Sequence, residues 1–263
     1  MRLRRLVVVT FALALASAAF PQQPPKRLIT ETDIFRFLWV ADPRISPDGK
    51  RVAFTRVNVD DKGEGYETSI WSVPADGSSA PTRLSSGTHD VQPRWSPDGK
   101  RLAFLRAAMK DGKPQPPQIH VLSLEGGDAW QLTDVAEGAG APFWSPDGKR
   151  IAFLSEANDK DIEKQKKEKA VRQRVQDEKK KDEAKPDAKP GDKPDADGKK
   201  TPDSEHESDV HTITRAVYRF NGPGYLDPKH ITHLWVVDVP QSADEPVPAR
   251  QLTTGKYDED NPL

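Results

Sequence analysis

Arginine and aromatic residues gather in one short segment of the chain, and their types suit ligand binding. Arg215, Tyr218, Arg219 and Phe220 lie close together, and Tyr225 follows an Asn-Gly-Pro-Gly turn. Arginine holds carboxylates through paired hydrogen bonds, and aromatic rings anchor peptides at interfaces. The segment therefore predicts contact with a peptide substrate. The alternative is structural, with Tyr218 and Phe220 packed inside the fold and Tyr225 covering its end.

No sequence signature of catalysis accompanies these residues. The string nearest to a G-x-S-x-G nucleophile motif, Gly77 to Pro81, lacks the final glycine. The 6 histidines form no H-E-x-x-H motif, and no Gly-rich phosphate loop is present. His230 and His233 are near each other, but such a pair is more often at the surface than on a metal. The sequence predicts no catalytic residue, no metal ligand and no cofactor.

Three copies of one phrase organise the chain at a spacing of about 50 residues, which is typical of a repeat fold. Each copy is Ser-Pro-Asp-Gly followed by Lys-Arg and an apolar strand. The order predicts a type I turn with a left-handed glycine, and the aspartate caps that turn. The residues of these structural turns are Ser46, Pro47, Asp48, Gly49, Ser96, Pro97, Asp98, Gly99, Ser145, Pro146, Asp147 and Gly148.

The remainder of each repeat predicts three further short strands. Four-stranded units at this spacing are typical of β-propeller blades, whereas a β-sandwich would not require near-identical turns at constant intervals. The predicted fold is all-β: an incomplete β-propeller of four-stranded antiparallel blades, about three blades plus one strand. The partial propeller is expected at 28–263. Its blades are expected at about 28–87, 88–136 and 137–254, and 255–263 would start a fourth.

A charged insertion at 157–210 interrupts the third repeat. Its basic and acidic residues are nearly balanced, and large apolar residues are almost missing. From Asn158 to Ala184 there is neither glycine nor proline, which predicts a helix capped by Asn158 or Asp159. The proline-punctuated part that follows predicts disorder. A solvated arm without a specific role and a docking arm for a partner are both consistent with this composition.

The first 18 residues predict a signal peptide. Arg2, Arg4 and Arg5 precede an apolar stretch at 6–16, and Ala-Ser-Ala at 16–18 has the small residues of a cleavage site. The stretch is too short to span a membrane in the mature protein. Residues 19–27 would form a flexible lead-in. The expected location is periplasmic or extracellular, by either the general or the twin-arginine route.

Net charge and cysteine content exclude some classes of binding partner and site. The formal net charge is −1, so the chain has no excess of basic residues for binding nucleic acid. The absence of cysteine excludes a disulfide scaffold and a cysteine-ligated zinc site. Neither feature indicates an oligomeric state.

The repeat phrase resembles the propeller repeats of TolB-like proteins and of the prolyl oligopeptidase family of serine peptidases. The run from Ile213 to Asp227, followed by Leu234 to Asp238, is similar to the N-terminal part of acylaminoacyl-peptidase-like members. The resemblance covers 28–156 and 210–263. It implies the propeller of a secreted oligopeptidase, which filters peptide substrates and docks on a C-terminal α/β-hydrolase domain carrying serine, aspartate and histidine.

None of those three catalytic residues matches a position in this sequence. The chain is therefore expected to be a fragment of a longer peptidase and to be inactive alone. The alternative is a free-standing TolB-like periplasmic propeller that acts as a protein-binding module. The coding sequence downstream distinguishes the two, because only the first predicts a later G-x-S-x-G motif.

Overall fold

The computed structural model describes residues 28–60, 62–183, 219–220, 224–225, 230–242, 244–255 and 258–259. The chain divides into two compact units, Met1–Phe37 and Leu38–Leu263. In the first unit a 3-10 helix spans Glu31–Arg36, and the Thr30 backbone N–H donates to the Asp33 carboxylate at 2.8 Å. Within the described residues, all the strands belong to the second unit.

The strands of the second unit follow the three sequence repeats. The first repeat forms β1 (Leu38–Ile45), β2 (Arg51–Val59), β3 (Tyr66–Pro74) and β4 (Thr82–Arg83). The second forms β5 (Asp90–Trp95), β6 (Arg101–Arg106), β7 (Met109–Lys110), β8 (Lys113–Pro114), β9 (Gln118–Ser123) and β10 (Trp130–Gln131). The third forms β11 (Gly140–Trp144), β12 (Arg150–Ser155), α1 (Asp159–Glu183), β13 (Arg219–Phe220), β14 (Gly224–Tyr225), β15 (His233–Asp238) and β16 (Arg250–Gln251).

These strands form three four-stranded antiparallel sheets. The orders are β1-β2-β3-β4, β5-β6-β9-β10 and β11-β12-β15-β16. The short pairs β7-β8 and β13-β14 lie in the loops between the second and third strands of the second and third sheets. The predicted all-β fold of propeller blades is confirmed, and the described part of the insertion contains the predicted helix. No helix among the described residues is long and apolar enough to cross a membrane.

Each Ser-Pro-Asp-Gly phrase forms the turn between the first and second strands of its sheet. In the first, Gly49 has φ 72° and donates its N–H to the Ser46 carbonyl at 2.9 Å. The Ser46 hydroxyl donates to Asp48 Oδ1 at 2.6 Å and accepts the Arg51 N–H at 3.0 Å. The serine hydroxyl lowers the pKa of the Asp48 carboxyl. The same arrangement recurs around Asp98 and Asp147.

The hydrophobic core lies between neighbouring sheets. Successive side chains of a strand point to opposite faces, so a central strand that packs on both sides is apolar throughout. In β6, Leu102 and Phe104 join the cluster shared with the first sheet, while Leu105 belongs to the cluster shared with the third sheet. All three are less than 5% exposed. The Leu-Ala-Phe-Leu sequence of β6 therefore serves two blade interfaces.

The helix α1 is fixed to the blades by its first turns. The Asn158 side chain caps it by accepting the Lys160 N–H at 2.9 Å, and Ile162 packs against the core cluster of the third sheet. Further along, Lys169 pairs with Asp134 at 2.6 Å. Beyond that point Val171 and Val175 are exposed, so no apolar stripe continues along the helix.

Candidate functional site

The first strands of the three sheets form the inner edge of the blade array. Strand β5 contacts both β1 and β11, whereas β4, β10 and β16 lie at the opposite edges of their sheets. Each inner strand has a bulge at an X-Pro step, where the first residue takes a left-handed conformation: Asp42 (φ 46°), Gln92 (φ 56°) and Ala141 (φ 46°). Such strain in residues other than glycine often marks functional positions.

An ion-pair network joins the inner edges of the first two blades. Asp42 Oδ1 pairs with Arg44 Nε at 2.7 Å, and Asp42 Oδ2 pairs with Arg94 Nη1 at 2.5 Å. One carboxylate thus faces two guanidinium groups, and the group of three carries a net positive charge. The Arg44 side chain is 48% exposed. The inner edge therefore offers a partly solvated arginine that can hold a carboxylate or a peptide carbonyl.

Tryptophan side chains join each blade to the preceding one. Trp95 Nε1 donates to the Arg44 carbonyl at 2.9 Å, and Trp144 Nε1 donates to the Arg94 carbonyl at 3.0 Å. The corresponding residue of the first blade is Ile45, which is 64% exposed. These bonds place the inner strands of successive blades at a fixed offset. In the sequence, the only sign of these hydrogen bonds is the tryptophan that precedes Ser-Pro in the second and third repeats.

A cavity of about 440 Å³ lies on the side of the second sheet where β6 ends and β9 begins, and α1 covers it. Arg106 enters it and is held by the buried Asp90 through bonds of 2.7 and 2.9 Å, which raise the pKa of Arg106. His120 also lines the cavity. Its burial lowers the pKa of its imidazole, and the ring stacks on Phe104 at 5.8 Å.

The polar groups that line this cavity can form hydrogen bonds with a ligand. Asp90 pairs with the charge of Arg106, and burial lowers the pKa of His120, which favours its neutral form. Around them stand amide and carboxylate side chains, among them Gln118 and Gln131. The described lining therefore supplies both hydrogen-bond donors and hydrogen-bond acceptors.

The five residues predicted to contact a peptide have a partial structural description. Arg219 pairs with Tyr225 and Phe220 pairs with Gly224, so these backbones form the short hairpin β13-β14. Arg215 and Tyr218 lie outside the described residues. The peptide contact of all five remains a prediction.

Comparisons with known proteins place the chain among propellers. Residues 34–193 match the family described as PD40, TolB beta propeller domain. A Bacillus subtilis (strain 168) protein named uncharacterized peptidase YuxL is 34% identical over 119 residues, which are 45% of this chain and 17% of that protein. The chain therefore spans less than a fifth of this curated relative.

Two solved peptidase structures are among those similar to this chain. An acylaminoacyl peptidase in complex with Z-Gly-Gly-Phe-chloromethyl ketone has a TM-score of 0.50 at 15% identity, over 84% of this chain and 26% of that one. The Pyrococcus horikoshii acylaminoacyl peptidase has a TM-score of 0.49 at 15% identity, over 82% of this chain and 25% of that one. At 15% identity, the match to the first of these structures concerns the fold alone.

The repeats, the blade topology and the family match agree. The resemblance to TolB-like propellers and to the propeller parts of serine peptidases is confirmed. The chain belongs to the PD40 family of TolB β-propeller domains.

Proposed function

We propose that this chain is the propeller portion of an exported serine oligopeptidase. The observation that carries the proposal is the 34% identity over 119 residues with a bacterial peptidase. Peptide hydrolysis belongs to a C-terminal α/β-hydrolase domain, and the propeller restricts which peptides reach it.

The inner edge supports a role in handling peptides. A peptide that moves along the first strands meets the Arg44 and Arg94 guanidinium groups, which share the single carboxylate of Asp42. Charge-assisted bonds from arginine to carboxylates are stronger than neutral ones. We therefore expect this edge to orient substrates through their terminal or side-chain carboxylates.

The proposal is tested first on this chain and then on the product of the longer reading frame. The chain alone should not hydrolyse peptides, and an active-site serine probe should leave it unlabelled. Stoichiometric labelling of a serine within 1–263 would refute the assignment of catalysis to another domain. The coding sequence after Leu263 should encode further blades and then a G-x-S-x-G motif. Closure of the propeller followed by a stop codon would favour the protein-binding TolB-like module instead.

The substrate role is tested by a substitution in the full-length product. Arg44→Ala should raise KM for peptides with a free C-terminal carboxylate by about tenfold, because one charge-assisted bond is lost, and should leave kcat nearly unchanged. Arg83→Ala is the matched control, because Arg83 lies in β4 at the opposite edge of the first sheet. Equal effects of the two substitutions, or equal effects on amidated peptides, would contradict a role of the inner edge.

Export is part of the same proposal. The predicted signal peptide lies outside the described residues, so its processing needs a direct measurement. Expression in a Gram-negative bacterial host should give a periplasmic product. Mass spectrometry should identify Ala19 as the N-terminal residue of this product. An uncleaved product confined to the cytoplasm would contradict export.

A further inference from the structure

Three segments that are far apart in the sequence bring a histidine and two carboxylates together. Glu137 lies in the connection from β10 to β11, Asp161 in the first turn of α1, and His230 shortly before β15. One ligand-type atom of each lies within 4.8 Å of the others. The distance from His230 Nε2 to Asp161 Oδ2 is 3.3 Å.

The surroundings of the group hold its members in place. The side chains of His230 and Asp161 are only 28% and 20% exposed. The Asn158 N–H donates to Asp161 Oδ2 at 3.1 Å, which orients that carboxylate as outer-shell hydrogen bonds orient metal ligands. Glu137 is the exposed member of the group, and its carboxylate already lies within 4.8 Å of the other two ligand-type atoms. A cation between the two carboxylates would gain attraction from both of them.

We propose that Glu137, Asp161 and His230 bind a divalent cation of the zinc class. An imidazole nitrogen with two carboxylate oxygens suits zinc and similar ions, whereas calcium and magnesium favour sites made of oxygen alone. Ligand atoms about 2.0–2.2 Å from a tetrahedral ion are roughly 3.4 Å apart. The 3.3 Å between His230 and Asp161 meets that requirement. Water completes the coordination as the fourth ligand.

The position of the site gives the cation a mechanical role. Asp161 lies where the insertion leaves the third sheet, and His230 lies where the chain returns to it. A cation bound to both joins the two ends of the insertion. Its bond to Glu137 attaches this joint to the connection between the second and third blades. The cation therefore fixes the root of the insertion beside the cavity that α1 covers.

The test is a zinc titration of the untagged chain after treatment with a chelator. Calorimetry should show one zinc ion per chain and much weaker binding of magnesium. His230→Ala should weaken zinc binding by at least about 100-fold, which is the upper end of the effect of removing an outer-shell partner. Glu156→Gln and His89→Gln are matched controls, because they remove the same chemical groups outside the site. Both should bind zinc as the unsubstituted chain does.

A second variant and a second readout keep the test decisive. Asp161→Asn can still accept the Asn158 N–H but is a poor metal ligand, so it should lose zinc binding while keeping the circular dichroism of the unsubstituted chain. Zinc should also slow proteolysis at the start of α1 in the unsubstituted chain and not in this variant. No zinc binding, or binding that survives both substitutions, would overturn the proposal and leave only a contact between imidazole and carboxylate.

Discussion

Replacing Trp144 with phenylalanine tests whether the tryptophan bonds between blades stabilise the propeller. Trp144 is 6% exposed, and its indole N–H donates to the Arg94 carbonyl of the preceding blade at 3.0 Å. The Arg101 guanidinium lies 5.1 Å from the centre of its ring and donates to the Gly148 carbonyl at 2.9 Å. Phenylalanine keeps an aromatic face for Arg101 but has no N–H donor and a smaller ring.

The expected loss follows from these contacts. A buried hydrogen bond contributes about 1 kcal/mol net, and the smaller ring loses about 1–1.5 kcal/mol of burial and packing. The weaker cation–π contact increases the loss of stability by about 0.3 kcal/mol. We therefore expect Trp144→Phe to lower the free energy of unfolding by about 2–3 kcal/mol.

Urea denaturation followed by circular dichroism measures this change. Trp71→Phe is the matched control: its ring is also covered by a guanidinium, that of Arg56 at 4.5 Å, but its indole N–H donates to Ser69 within the same strand. The control should lose less than half as much stability. Equal losses in the two variants, or a loss below about 1 kcal/mol for Trp144→Phe, would refute the idea that this bond holds the blades together.

Three further predictions concern acid stability and the helix. The turn hydrogen bond from Ser96 lowers the pKa of Asp98. The resulting stabilisation of the fold is therefore present above about pH 4 and is lost as the pH falls further. Asp98→Asn should reduce this loss of stability in acid denaturation curves. Burial lowers the pKa of His120, so the unfolded chain takes up the proton first and stability should fall as the pH drops below about 6.5. His120→Gln should remove this dependence between pH 7 and 5, and an unchanged slope would contradict it. Trypsin should cut α1 beyond Lys169 before it cuts the blades, because Val171 and Val175 there are exposed; mass spectrometry of the fragments would show the reverse order if the helix were buried.

The turns, the central strands and the helix could be predicted from short patterns in the sequence. Proline and glycine in Ser-Pro-Asp-Gly favour one turn geometry, and Gly49 has the left-handed φ of 72° that this geometry requires. The apolar strand after each turn predicts burial on both faces, which Leu102 and Phe104 show. Helix α1 was predictable because neither proline nor glycine interrupts it and Asn158 can cap it.

The contacts between blades could not be predicted in the same way. The pairing of Asp42 with Arg94 and the meeting of Glu137 with His230 join residues that no local pattern relates. Their proximity depends on how the sheets stack, which is set by the whole core. The ligand site predicted from the sequence runs from Arg215 to Tyr225. Only the backbones of Arg219–Phe220 and Gly224–Tyr225 are described there, so its contact with a peptide stays a prediction.

The third sheet has a consequence for the order in which the chain folds. Strands β12 and β15 pair in continuous register from Arg150–Asp238 to Ser155–His233, although 156–232 separates them. This connection is roughly thirteen times longer than the 60–65 loop of the first sheet. Because loop closure costs conformational entropy, closing the longer connection in an unfolded chain costs about 2 kcal/mol more free energy. The first two blades should therefore form early, and the third should be the slow step. Shortening the insertion should speed refolding while leaving the unfolding rate nearly unchanged.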